Sequence, residues 1–207
     1  MRLHRTLLPL SLILRASAQL LVLSDPTPPT MAQPNQQPLE ALADSAPGPQ
    51  SASSSILSDV LPSQKRINIF AGFTRDVASV LSRLESTSEN TTLLAPLNTV
   101  LSSLPRKPWE SPADYDKLGA NAYSGSGGSE RAAENLKRFT EAHVVCERPW
   151  EEGKKVKTLG GGEVWWESHG KDGGRRIMPG KVEVEGIVGK AGNGEVWMLR
   201  GVVDFRQ

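Results

Sequence analysis

Asn90 to Pro105 reads NTTLLAPLNTVLSSLP, and no other stretch constrains the architecture as strongly. Asn90-Thr91-Thr92 leads into Leu93-Leu94-Ala95, a short apolar run stopped by Pro96. Proline has no N–H to give a strand ladder, so the run reads as a short buried strand that ends there. From about Asn98 to Leu104 the spacing turns helical, with Asn98 placed as the cap.

Upstream, Ile67, Phe70, Val77, Val80, Leu81 and Leu84 recur at helical spacings with Phe73 on the same side, which predicts an amphipathic helix. Downstream, Pro105, Pro108, Pro112 and the run Ser124-Gly125-Ser126-Gly127-Gly128-Ser129 predict a long surface loop over 105–129. Helical spacing resumes from Ser129 to Val144, where Ala132, Leu136, Phe139 and His143 share one apolar face. From Lys155 the period becomes two, and KVKTL, EVWWES, RRIMP, KVEVEGIVG and GEVWMLRGVV are separated by glycine-rich turns. Helices first and strands second predict an α+β domain, with N-terminal helices packed on a mainly antiparallel sheet or sandwich. In KVEVE, Val182 and Val184 face inward, and Gly186 marks a bulge before Ile187 and Val188. In the last strand Val196, Met198 and Val202 share one face while Trp197, Leu199 and Val203 share the other. Apolar residues on both faces make that strand central.

The chain has 207 residues, 38% of them hydrophobic, and a net charge of +1. That is the size of one ordinary globular domain with a sizeable core. The charges are interspersed, without a basic stripe for nucleic acid. Residues 1–18 combine a basic start (Arg2, His4, Arg5), the apolar run Leu7 to Leu14 and Ala16-Ser17-Ala18, which reads as a signal peptide cleaved after Ala18. Arg15 interrupts the apolar run, which is too short to span a bilayer. Its loss leaves acidic residues in slight excess, and the polar C-terminus VVDFRQ argues against a lipid anchor added there. Residues 19–55, rich in proline and serine, read as a disordered linker, and the ordered pattern begins near Ile56. The folded domain is therefore set at 56–207. Asn90-Thr91-Thr92 is the only glycosylation sequon, so Asn90 is the expected glycan site of a lumenal or extracellular product. Cys146 is the only cysteine, and its neighbours Val144 and Val145 predict a buried thiol.

In order and spacing, three segments resemble the fasciclin domain, a module of secreted and cell-surface proteins. Asn90 to Pro105 resembles its strand-to-helix motif, an extended Thr-X-X-Ala-Pro followed by a short helix, here with Ala95, Pro96 and Asn98. Thr140 to Val145, TEAHVV, resembles its second motif, centred on His143. Asn193 to Val203, NGEVWMLRGVV, resembles its closing strand, opened by Asn193 and Gly194, and Lys157-Thr158-Leu159-Gly160 resembles the strand that opens its sheet. The match covers about residues 56 to 205. The resemblance implies a binding or cell-adhesion module, and fungal proteins with one such domain behind a signal peptide imply the vacuole lumen, with the cell exterior as the alternative. Receptor-binding members often carry Tyr before the motif histidine and His and Asp in the closing strand, where Ala142, Trp197 and Arg200 stand here. The fold therefore transfers better than the ligand.

Candidate chemistry is sparse. His143 lies in line with Leu136 and Phe139, as a packed histidine bonded to backbone would; the competing reading makes it the general base of a hydrolase. With one cysteine and only His143 and His169 beyond the leader, no metal or cofactor site is expected. Gly160-Gly161-Gly162 and the Gly125 to Gly128 run lack the strand, helix and Lys-Ser/Thr of a phosphate loop. Alternation in Glu163-Val164-Trp165-Trp166-Glu167 pairs Val164 with Trp166 and turns Trp165 outward beside two glutamates, a platform for a protein or glycan partner. Trp109 and Trp150, in KPWE and RPWEEG, are expected to clip loops onto the body. A third reading is a carrier of a small apolar ligand held between helices and sheet.

Overall fold

A computed structural model describes residues 55–170 and 173–205. The signal peptide expected at 1–18 and nearly all of the linker expected at 19–55 lie outside the described residues.

The order of elements is α1 (Leu57–Val60), α2 (Asn68–Asp76), α3 (Ala78–Glu85), β1 (Thr91–Pro96), α4 (Asn98–Ser103), α5 (Pro112–Leu118) and α6 (Gly125–Ala142), then β2 (Val144–Val145), β3 (Val156–Lys157), β4 (Glu163–His169), β5 (Gly174–Met178), β6 (Val182–Ala191) and β7 (Gly194–Leu199). This is an α+β fold with its helices ahead of most of its strands. The strands form one sheet in the order β2-β1-β7-β6-β5-β4-β3. Every pairing is antiparallel except β1 with β7, which run parallel from Thr91 opposite Gly194 to Pro96 opposite Leu199. The sheet nearly closes on itself. Val145 beyond β1 bridges Thr158 beyond β3, and the Leu159 N–H donates to the Val144 carbonyl at 2.8 Å. Closure removes the open edges that would otherwise template pairing with other chains.

β7 is an interior strand between β1 and β6, and its two faces divide the core. Val196 and Met198 pack with Leu57, Phe70, Val80, Leu84, Leu93 and Phe139 beneath the helices. Trp197, Leu199 and Val203 pack with Leu94, Trp150, Val164, Ile177 and Val182 inside the curled sheet. The inward setting of Val182 also holds, and register shifts interrupt the β6 to β7 ladder between Val184 and Gly186 and again between Ile187 and Gly189.

Four local expectations are corrected. The stripe from Ile67 to Leu84 is two helices, because Val77 is extended (φ −107°, ψ 102°) and its carbonyl opens α3 by accepting from Val80 and Leu81. The seven-residue step from Phe70 to Val77 keeps both in the core across the break, so the periodicity alone runs through it. The 105–129 segment contains α5, begun by Pro112 in its first turn, and the serine-glycine run forms the start of α6. Gly128 is needed there for close approach, since a Cβ would sit 2.2 Å from the Tyr123 carbonyl carbon. Asn98 makes no cap bond; Leu97 is the N-cap of α4, and the Asn98 amide instead joins the start of α2. Cys146 is exposed, because β2 ends at Val145 and the chain turns outward into Glu147 and Arg148. Shielding by neighbouring groups raises its thiol pKa, with Arg83 opposing and Glu89 adding to the effect.

Candidate functional site

His143 sits where α6 ends and is fully buried. Its Nδ1 lies 2.8 Å from the Phe139 carbonyl one turn back, and its Nε2 accepts the Val203 N–H at 3.0 Å. A carbonyl can only accept and an N–H can only donate, so the ring is the neutral Nδ1–H tautomer. Its own carbonyl accepts the Leu94 N–H at 2.8 Å, tying β1 to the end of α6. Phe139 and Phe70 surround the ring at centroid distances of 4.5 and 5.4 Å. Burial lowers its pKa from 6.5 to about 4, partly offset by the Phe139 bond. With both nitrogens engaged by backbone, His143 is not placed to take a proton from a substrate, which removes the geometric basis of the general-base reading.

The other motif residues are structural joints. Ala95 and Pro96 are buried in β1. The Asn98 side chain accepts the Ile69 N–H at 3.1 Å and donates to the Lys65 carbonyl and to Asn68 Oδ1, each at 2.8 Å. Buried Asn193 accepts the Leu57 N–H at 2.9 Å and donates to the carbonyls of Leu84 and Ser86. It thereby joins α1, the end of α3 and the β6 to β7 turn. Gly194 permits the parallel pairing beside it, since a Cβ there would meet the Thr91 carbonyl oxygen at 2.3 Å and Leu57 Cδ1 at 2.4 Å. Asn90 is exposed immediately before β1, where an attached glycan can project.

On β4 the predicted alternation holds: Val164 is buried while Trp165 lies on the opposite face, half-buried. The Trp165 Nε1–H donates to Glu167 at 2.8 Å, Lys155 Nζ lies 4.9 Å from the ring centroid, and Met178 pairs with it across β5. The indole is thus held in one orientation with part of its surface open. Trp166 points inward, donates to the Trp150 carbonyl at 3.0 Å and meets Trp197 edge-on. Trp150 is buried and stacked on Trp197 at 5.6 Å, so it clips its loop to the sheet as expected. Trp109 packs edge-on against Phe73 at 6.4 Å, while its carbonyl accepts from Asn135 at 3.1 Å.

Two features escaped the sequence reading. Arg175 stacks over Trp166 and Trp197, 4.8 and 4.6 Å from their centroids. Its signal was available, because strand alternation puts Arg175 on the face of buried Ile177. Asn135 donates to Trp109, to Asp114 and to Tyr123, and this pinning holds the Asp114 carboxyl below its usual range, chiefly through the Asn135 bond and then the Tyr123 bond. An open cleft of about 390 Å³ lies between α1, α2 and α3, floored by Leu61, Ala71, Leu81 and Leu84.

Helices over a nearly closed mixed sheet, with a buried motif histidine and an asparagine joint before the closing strand, define a fasciclin-like domain. Curated FAS1 domain-containing proteins agree. One from Neurospora crassa is 52% identical over 164 residues, covering 77% of this chain and 71% of its own length. Another from Aspergillus fumigatus is 47% identical over 152 residues, 73% of this chain and 64% of the relative. A third from Emericella nidulans is 47% identical over 150 residues, 72% of this chain and 61% of the relative. The chain belongs to the FAS1, or fasciclin, domain family, and it spans less than two thirds of the second and third relatives. No protein-family model matches it. Among solved structures it is similar to a FAS1 domain pair from the insect cell adhesion molecule Fasciclin I, with a TM-score of 0.49, 12% identity, and 72% of this chain and 51% of that chain covered.

Proposed function

We propose that this protein is a non-catalytic FAS1 binding module of the secretory pathway, making adhesion-type contact with a protein or glycan through the outward face of β4 and β5 at Trp165. The observation that carries the reading is the partly open indole of Trp165, fixed by Glu167 and Lys155 and backed by Met178. A ring already held in place loses little conformational freedom when a partner covers it, and a flat indole face suits either a pyranose ring or an apolar protein side chain. Family membership supports a binding role as a class.

The leader read at residues 1–18 supports entry to the secretory pathway, the vacuole lumen being the favoured address and the cell exterior the alternative. A glycan on Asn90 fits the same route. The test is a screen of the purified protein on glycan arrays and against cell-surface and vacuolar extracts, repeated with Trp165→Ala. A partner retained with unchanged affinity by the variant overturns the Trp165 assignment. Tagged chains with and without residues 1–18 test the address, and loss of sorting in the shortened chain is the expected result. The α1 to α3 cleft favours a second reading as carrier of a small apolar ligand. Native mass spectrometry of the purified protein reads it directly through a retained ligand mass.

A further inference from the structure

Among the described residues the strongly exposed large apolar side chains are Ile69 at 39%, Trp109 at 37% and Leu118 at 47%. Ile69 and Trp109 belong to one face. Ile69 and Phe73 lie one turn apart on α2, and Trp109 rests edge-on against Phe73 at 6.4 Å. Phe73 in turn meets Phe70 and Phe139 of the core at 6.5 and 6.2 Å. The Trp109 backbone is held by Asn135, and the turn that carries it is closed by the Glu110 N–H donating to the Lys107 carbonyl at 2.9 Å. The exposed indole is therefore fixed to the core.

Cations rim this apolar spot. Lys65 and Ile69 are held to the same Asn98 amide, and Arg106 and Lys107 lead directly into Trp109. All three cationic side chains are exposed, and no ion pair among the described residues engages them. Arg106 lies over the Tyr115 ring. The neighbouring cation Arg66 is paired with Glu185, and the nearby carboxylate Glu110 accepts from the Lys107 N–H and the Tyr115 hydroxyl.

We propose that this face, formed by Ile69 and Trp109 with Lys65, Arg106 and Lys107, docks the protein peripherally on an anionic lipid surface. Tryptophan suits the boundary between headgroups and acyl chains, because its ring is apolar and its N–H polar. An aliphatic neighbour adds buried apolar area, and unpaired lysine and arginine add attraction to anionic headgroups. Side chains standing out from a helix flank and a tight turn suit a planar surface. A bound peptide instead asks for a strand edge or an apolar groove. This site is separate from Trp165, and its outcome is independent of that reading.

The test is co-sedimentation of the full chain, as its host releases it, with vesicles of phosphatidylcholine alone and of phosphatidylcholine with phosphatidylserine. The expected result is about tenfold stronger partitioning onto the anionic vesicles, weakening as salt is raised. Lys65→Glu with Lys107→Glu should abolish that preference, and Ile69→Ser with Trp109→Ser should weaken binding to both vesicle types. Trp165→Ala should change neither. The variants share with the parent whatever segment precedes residue 55, so the differences between them read this face alone. The charge-reversed pair makes no core contact, so it keeps the test decisive even where Trp109→Ser lowers stability. Equal binding to both vesicles, unchanged binding by the charge-reversed pair, or capture of an acidic protein through this face without vesicle binding would each overturn the proposal.

Discussion

The two faces of β7 are filled by different chemistry. On the helical face, aliphatic residues and the Phe70, Phe73 and Phe139 cluster enclose a histidine whose two nitrogens both reach backbone. On the other, Trp150, Trp166 and Trp197 fill the inside of the curled sheet, and the guanidinium of Arg175 lies over two of them. The difference shows how each side accommodates a polar side chain near its core. Beneath the helices no water reaches the ring, so His143 is kept neutral by desolvation. Inside the sheet, Arg175 remains half-exposed and lays the flat face of its guanidinium on two indoles.

Substitutions can break or sharpen this contrast. The largest effect is expected from His143→Ala, which opens a cavity and leaves a buried carbonyl and a buried N–H without partners. A loss of about 3 to 5 kcal/mol in urea unfolding is expected. Acid should act on the same residue with slightly smaller effect. The unfolded chain binds a proton near pH 6.5 that the folded chain excludes until about pH 4. The stability due to this group is therefore full above pH 6.5, declines as pH falls toward about 4, and amounts to about 3 kcal/mol over that window. Urea midpoints measured across the window should fall with pH in the wild type, and His143→Gln should lack that component.

On the sheet side the expected effects are milder. Arg175→Met keeps an apolar stem over the indoles but removes the cation, so about 1 kcal/mol should be lost, with no new acid dependence. Smallest is Trp165→Ala, which should shift stability by less than about 1 kcal/mol while abolishing partner capture. A large destabilisation from Trp165→Ala would instead assign that residue to the packing of the sheet.

Much of this contrast was legible in the order of residues. Alternation in GEVWMLRGVV correctly placed Val196 and Met198 opposite Trp197 and Leu199, and strand periodicity separated Trp165 from Val164. The break at Val77 was hidden because a seven-residue step preserves the apolar stripe on both sides of it. The α6 start was hidden because glycine and serine usually disfavour helix, whereas here Gly128 permits contact with Tyr123 that a Cβ would block. Cys146 was misplaced because two buried valines precede it, yet the strand ends between them and the thiol. Arg175 sat in an apolar register, and its meaning depended on which rings the fold would place beneath it.

By itself, the sequence determined the inward and outward sides of the main strands and the helix or strand character of most segments, though not α5, the start of α6 or the side of Cys146, because spacing along a chain reports local geometry. Only the tertiary structure decided which distant groups meet. The parallel union of β1 with β7, the near-closure of the sheet through Val145 and Thr158, and the partners of Asn193 and His143 belong to this second kind. His143 and the Val203 N–H it accepts are 60 residues apart, and Asn193 reaches back 109 residues to Leu84. No local period encodes such pairings. They form because burying both core faces at once leaves those polar groups without water, and each must find its partner within the protein.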